Sequence, residues 1–212
     1  MKLTVFGATG GTGLHLVRQA IDRGYEVTAV VRSGRRLPSA VAGRIDVVEA
    51  DPLACLEGAV KGRDAVLTAI GTRDLSHPTQ VCAESARAIC GAMHATAGDA
   101  RLVIASNSAM SPGAGDDPLT RYLVKPVILG RVLRHMLDDM REAERQVRAS
   151  GLSWAIVRAG RLTDRPGKGR YRRAVDRNVL GGFQITRADF ARAMLDAAAD
   201  PTSPGRVISV GN

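Results

Sequence analysis

Short apolar runs alternate with longer amphipathic stretches along almost the whole chain. The runs carry apolar side chains at consecutive positions, which predicts strands buried on both faces. They lie at residues 2–6, 26–31, 44–49, 64–70, 101–105, 154–158 and 206–210. The intervening stretches have helical spacing, with Thr186 or Asp189 as the cap of the last helix, and cover residues 12–23, 53–61, 78–97, 131–149 and 187–199.

This alternation predicts an α/β fold, a doubly wound parallel sheet of the Rossmann type. The chain has 212 residues, 45% of them hydrophobic, so we expect one domain over residues 1–212. Two segments break the alternation, at about residues 110–128 and 162–184. Ligands of open α/β sheets bind beyond the carboxyl ends of the strands, so these segments are candidate walls of a substrate site. Ordinary solvated loops are the alternative.

A glycine cluster joins the first strand to the first helix. Glycine lets the backbone turn tightly and approach a pyrophosphate, and the helix offers unpaired N–H groups and the positive end of its dipole. A second strand follows, which completes the start of a βαβ unit. The pattern predicts a dinucleotide site whose candidate contacts are Gly7, Thr9, Gly10, Gly11, Thr12 and Gly13.

The residues after the second strand indicate which nicotinamide cofactor binds. NAD enzymes usually place a carboxylate there for the ribose hydroxyls, and that carboxylate would repel a 2′-phosphate. This chain instead has a basic turn, whose guanidinium groups suit a phosphate. We therefore expect NADPH, bound through Arg32, Ser33, Arg35 and Arg36. A solvated basic turn with no ligand is the alternative.

Composition narrows the class of partner. The net charge is +9, and most of the positive charge is arginine spread along the chain. Aromatic residues make up 3% of the chain, which leaves little stacking surface for nucleic acid. The charge therefore favours an anionic small molecule, and the spread of the arginines with the shortage of aromatic residues makes nucleic acid an unlikely partner. We expect a monomer or a weak homo-oligomer.

The remaining features point to a cytoplasmic protein without a membrane segment. No run reaches the roughly 18 apolar residues of a membrane-spanning helix, and no leader-like segment precedes the first strand. The odd number of cysteines (Cys55, Cys82 and Cys90) suits a reducing compartment. Cys90 and His94 share a helical face, but two ligands do not make a metal site, and we expect none.

Several stretches carry a resemblance to a known family. They are residues 6–13, 24–33, 36–39, 64–66, 71–76, 78–79 and 148–152. The chain resembles the atypical short-chain dehydrogenase/reductases, the NmrA-like and NAD(P)H-binding group, and most of all the biliverdin-IXβ reductase/flavin reductase family. The resemblance implies that Asp51 meets the adenine edge, that Gly71 and Thr72 pass the nicotinamide ribose, and that Ser108 is the active-site serine.

The resemblance also defines the acceptor site. It implies substrate contacts at Arg73, Met110 and Arg161. Met110 stands where the family has an aromatic residue, and Arg161 stands where it has a histidine. The loop around residues 112–128 is longer than the family's. Arg161, with Arg170 and Arg173, would favour an acidic acceptor such as a flavin phosphate; arginines on a solvated face are the alternative.

The chain lacks the Tyr-x-x-x-Lys pair that most short-chain dehydrogenases use for proton transfer. Pro126 stands four residues after Tyr122, and Lys125 comes one residue early. A conjugated flavin, bilin or quinone needs less help from the protein, because it delocalises the incoming electrons. We therefore expect an NADPH-dependent reductase of such an acceptor. The alternatives are a catalytically silent NADP-binding regulator and, ranked lower, a sugar-nucleotide epimerase.

Overall fold

The computed structural model describes residues 1–34, 37–50, 56–72, 74–110, 114–116, 118–122 and 133–212. Over these residues an eight-stranded sheet runs in the order β3-β2-β1-β4-β5-β6-β10-β8, and β7 pairs with β9 in a separate small sheet. The strands are β1 (Lys2–Phe6), β2 (Glu26–Val31), β3 (Asp46–Glu49), β4 (Ala65–Thr68), β5 (Arg101–Asn107), β6 (Trp154–Ala159), β7 (Arg161–Thr163), β8 (Arg172–Val175), β9 (Gln184–Thr186) and β10 (Arg206–Gly211).

Helices cover both faces of the sheet. They are α1 (Gly11–Asp22), α2 (Ser39–Ala42), α3 (Glu57–Val60), α4 (Val81–Ala95), α5 (Arg134–Ala149) and α6 (Arg187–Ala199), and a short 3-10 helix follows β5 (Ser108–Met110). Leu3 and Val5 of β1 point into the core with α1 and α6, whereas Phe6 points into the core with α4 and α5. The central strands β1, β2 and β4 are therefore buried on both faces, as their apolar runs predict, whereas the edge strand β3 is mostly exposed.

The strand order creates a crevice at the centre of the sheet. β1 pairs in parallel with β2 on one side and with β4 on the other, so the chain winds away from β1 in both directions. In open α/β sheets this switch point, at the carboxyl ends of the strands, is where ligands bind. The doubly wound α/β fold expected from the sequence is thus confirmed.

The segment 162–184 differs from the expected loop. It contains β8 and parts of β7 and β9, and β8 runs antiparallel to β10 at the edge of the sheet. These strands are only three or four residues long; β8 is mostly exposed, β7 is exposed or half-buried, and β9 buries Ile185 and Thr186. Their sequences therefore lack the apolar runs on which the other strands were predicted.

None of the helices in the described part of the chain is long and apolar enough to cross a membrane.

Candidate functional site

The glycine loop begins at the carboxyl end of β1. Gly7 has a φ of +75°, in the left-handed region, and its carbonyl accepts a hydrogen bond of 2.9 Å from the Gly10 N–H. A Cβ added at Gly13 would lie 2.0 Å from the Gly7 carbonyl oxygen. Only glycine allows α1 to start this close to β1, so the pattern read from the sequence corresponds to a packing requirement.

The first turn of α1 is arranged to receive an anion. Gly10 occupies the N-cap, no side chain caps the helix, and no acidic residue lies in its first turn. The N–H groups at Gly11 and Thr12 therefore lack an intrahelical partner, and the positive end of the helix dipole is not neutralised. A dinucleotide pyrophosphate fits these donors.

Arg187 also lies at this loop, although it is far away in the chain and was not predicted from the sequence. It is the first residue of α6, whose N-cap Thr186 accepts a hydrogen bond from the Asp189 N–H. A Cβ added at Gly11 would lie 2.8 Å from Cδ of Arg187. The Arg187 Nε donates to Asp164 at 2.8 Å. A guanidinium therefore lies over the glycine loop.

The charge around the loop also affects a neighbouring histidine. Burial lowers the pKa of His15 in α1, and the positive charges of Arg18 and Arg187 lower it further, against the opposing effect of Asp164. The lowered pKa favours the neutral imidazole.

The turn after β2 is only partly described. Arg32 is exposed and Ser33 half-buried. The Gly34 N–H donates to Oε1 of Glu49, the last residue of β3, at 2.7 Å. Three predicted cofactor contacts lie outside the described residues: Arg35, Arg36 and Asp51.

A cleft of about 1020 Å³ leads from the glycine loop past the end of β4 to the ends of β5 and β6. Its volume suits a cofactor end together with an acceptor. Gly71 and Thr72 line its centre, and Thr72 Oγ1 accepts a hydrogen bond of 3.0 Å from the Asp74 N–H. The predicted contact Arg73 lies outside the described residues.

Two predicted acceptor-site residues line the far end of this cleft. Ser108 starts the 3-10 helix after β5 and is half-buried. Arg161 is exposed on the opposite wall, where its N–H donates to the Phe183 carbonyl at 2.8 Å. Phe183, which sequence reasoning also missed, lines the cleft with 59% of its surface exposed.

Three other predicted residues lie elsewhere. Met110 is 7% exposed and packs against Leu137 and Met140 of α5, and it is not among the residues that line the cleft. Arg170 and Arg173 are also absent from the lining, and Arg173 pairs with Asp200 at 3.0 Å. Of the three arginines suggested for an acidic acceptor, Arg161 is the one at the cleft.

A buried ion pair supports the cleft from beneath. Glu144 of α5 accepts hydrogen bonds from Ser106 of β5 at 2.7 Å and from Arg158 of β6 at 2.8 Å. Burial alone would raise the pKa of the Glu144 carboxyl, but the hydrogen bonds and charge of Arg158 lower it overall. The ion pair joins α5 to β5 and β6, the two strands whose ends line the far part of the cleft.

The two segments expected to wall the site meet each other. The Asn178 N–H donates to the Ala114 carbonyl at 2.8 Å, and its side-chain amide donates to Asp116 at 2.9 Å. Asp116 and Asn178 both line the cleft. The described parts of segments 110–128 and 162–184 therefore form one continuous wall.

The chain's three tyrosines do not line the cleft that the structure describes. Tyr122 is 69% exposed, Tyr25 packs against the core, and none of the three is among the lining residues that the structure describes. The Tyr171 hydroxyl donates to Asp196 at 2.7 Å, and burial, together with that carboxylate, raises its pKa. Lys125 lies outside the described residues. Among the described residues no cluster of metal-ligating side chains occurs.

Comparison with known proteins agrees with this geometry. A family model described as NAD(P)H-binding matches residues 7–201. This chain belongs to the NAD(P)H-binding family. It is 26% identical over 206 residues to the uncharacterized protein YwnB of Bacillus subtilis (strain 168), a match that covers 95% of this chain and 93% of that protein. The predicted family resemblance is confirmed at this level.

Solved structures of similar fold include a short-chain dehydrogenase/reductase from Veillonella parvula DSM 2008 in complex with NADP. It is 20% identical, has a TM-score of 0.82, and the match covers 100% of this chain and 94% of that chain. A candidate NADH-flavin reductase from Streptococcus pneumoniae TIGR4 is 21% identical with a TM-score of 0.82, over 100% and 99% of the two chains. At these identities the likeness establishes the shared fold.

Proposed function

We propose that this protein is an NADPH-dependent oxidoreductase that transfers a hydride to a conjugated acceptor of the flavin, bilin or quinone class. The observation that carries the proposal is one continuous, mostly apolar cleft that runs from the glycine loop to the ends of β5 and β6 and is lined by no tyrosine among the described residues. Such a cleft suits the alignment of two flat rings. The NADP-bound and flavin-reductase-named structural neighbours support the same assignment.

The chain's own residues supply binding and orientation. The α1 amides would hold the pyrophosphate, Arg32 would pair with the 2′-phosphate, and Gly71 and Thr72 would lie along the nicotinamide ribose. NADPH held there would supply the hydride that reduces the acceptor. The Ser108 hydroxyl hydrogen-bonds the carboxamide, the acceptor or a water that delivers the accompanying proton.

The test is NADPH oxidation by the purified protein with FMN as acceptor, with NADH run in parallel. We expect flavin-dependent turnover that is faster with NADPH, and a roughly tenfold lower kcat in Ser108→Ala because one hydrogen bond is lost. Tight NADP binding without turnover on any flavin, bilin or quinone would contradict the proposal and favour the silent regulator instead.

A further inference from the structure

The turn after β2 holds a negative group as well as a positive one. We propose that Glu49 is a specificity-determining residue for the nicotinamide cofactor. Its carboxylate opposes the 2′-phosphate of NADPH and so reduces the preference for NADPH that Arg32 confers. The inference rests on the proposed function in one respect, that the adenosine ribose lies at the end of β2.

The strand register places Glu49 at that end. β2 and β3 are parallel, and Glu49 is the register partner of Val31, the last residue of β2. Glu49 Oε1 accepts the hydrogen bond of 2.7 Å from the Gly34 N–H, and a Cβ added at Gly34 would lie 2.8 Å from the same oxygen. The carboxylate therefore lies directly against the turn that follows Arg32.

This contact changes what the turn can bind. Backbone N–H groups in turns commonly donate hydrogen bonds to phosphates. Here the Gly34 N–H already donates to the Glu49 carboxylate. A 2′-phosphate entering this turn would be repelled by the carboxylate and would compete with it for the Gly34 N–H. The 2′-hydroxyl of NADH meets no such repulsion, because it can donate to a carboxylate. Glu49 and Arg32 therefore act in opposite directions on the choice of cofactor.

The experiment compares dissociation constants of NADPH and NADH, measured by titration calorimetry, for the wild-type protein, Glu49→Gln and Asp46→Asn. We expect Glu49→Gln to strengthen NADPH binding about tenfold, the worth of one charge-assisted contact, and to change NADH binding less than about twofold. Glutamine keeps an oxygen for the Gly34 N–H, so the turn is retained. Asp46→Asn removes the same charge from the other end of β3 and should leave the ratio of affinities unchanged.

Salt dependence gives a second readout. Glu49 is exposed, so its repulsion of the phosphate should weaken as the Debye length falls from about 8 Å at physiological salt to about 3 Å at 1 M. The difference between wild-type and Glu49→Gln should shrink accordingly. A purely structural role in the turn would instead weaken both cofactors equally and without this salt dependence.

The outcomes separate this inference from the proposed function. An unchanged NADPH/NADH affinity ratio in Glu49→Gln overturns the role of Glu49, whatever the protein catalyses. A ratio that rises only because NADH binds more weakly also overturns it, since Glu49 would then be a ribose ligand. Altered affinities as expected, with no turnover on any acceptor, would leave the role of Glu49 intact and remove the reductase proposal. A wild-type protein that binds neither dinucleotide would overturn both.

Discussion

Arg187 concentrates positive charge at the proposed pyrophosphate site. Its side chain packs on Gly11 at the start of α1 and pairs with Asp164, which is 81% exposed. An incoming phosphate can therefore replace a mostly solvated partner, which costs little because exposed ion pairs contribute about 0–1 kcal/mol. A phosphate-guanidinium contact is worth more, about 1.5–3 kcal/mol.

We expect Arg187→Ala to weaken NADPH and NADH binding equally, by at least about tenfold. The pyrophosphate is common to both cofactors, so their affinity ratio should not change. Arg165→Ala is the matched control, because Arg165 is exposed and does not line the cleft. Fluorescence titration of the reduced cofactors measures both effects. Equal affinities in Arg187→Ala and the wild-type protein would exclude a contact with the pyrophosphate.

Individual residues differ in how far the sequence reveals them. The glycine cluster is predictable because a strand, a turn and a helix are adjacent in the chain. Arg187 and Glu49 are not, because each reaches the site through strand pairing or packing with a distant segment. Phe183 lies in a segment whose short strands carry no apolar pattern. The ligand contacts of all the predicted site residues stay predictions, and Arg35, Arg36, Asp51 and Arg73 also lie outside the described residues.

At the scale of elements, Glu144 couples a helix to the sheet. It is 5% exposed and bonded to Ser106, Arg148 and Arg158. We expect Glu144→Gln to lower the free energy of unfolding at pH 7 by about 3 kcal/mol, because Arg158 would lose its charged partner in a buried setting. Glu142→Gln, on the exposed side of the same helix, should cause a much smaller loss. Urea denaturation measures both.

The stabilisation by the Glu144 ion pair should depend on pH, because the Glu144 carboxyl titrates. The pKa of Glu144 is lowered in the folded protein, so its contribution is complete above the ordinary value of 4.5 and is lost as the pH falls through the lowered folded value. The difference in unfolding free energy between wild-type and Glu144→Gln should therefore shrink in acid. A difference that stays constant down to the acid transition would contradict the ion-pair account.

The joint between the two wall segments depends on Gly115. Gly115 has a φ of +93°, and a Cβ there would lie 1.9 Å from the Asn178 carbonyl oxygen. We expect Gly115→Ala to separate the segments and to raise the KM for the acceptor several-fold, while the dissociation constant of NADPH changes less than about twofold. Gly169 is the control, because its φ is +70° but nothing lies within 4 Å of an added Cβ. A KM raised equally in Gly169→Ala would point to backbone strain alone.

At the scale of the whole molecule, the alternation of apolar runs and helical stretches correctly predicts a sheet between two layers of helices. It does not predict β8, the strand at one edge of that sheet. Buried parallel strands must be apolar on both faces, so their sequences identify them. β8 at the edge is mostly exposed and antiparallel, so hydrophobicity gives no signal for it. The cleft wall formed by the described parts of segments 110–128 and 162–184 was expected from topology, but the contact between them through Asn178 follows from tertiary packing alone.

The net charge of +9 acts on the whole molecule, whereas Arg161 acts at one wall of the cleft. Overall charge speeds the approach of any anion and is screened by salt, while a contact in the bound complex is screened less. We therefore expect kcat/KM for FMN to exceed that for riboflavin at low salt, and the advantage to fall, but not vanish, at 1 M salt.

Two variants separate these contributions, because Arg161→Ala and Arg170→Ala remove the same charge and only Arg161 lines the cleft. Both should lower the salt-sensitive part of the FMN advantage to a similar small extent. Only Arg161→Ala should abolish the part that persists at high salt, since that part comes from a direct contact between the guanidinium and the flavin phosphate. Equal rates with FMN and riboflavin in the wild-type protein at every salt concentration would mean that neither the overall field nor Arg161 selects an acidic acceptor.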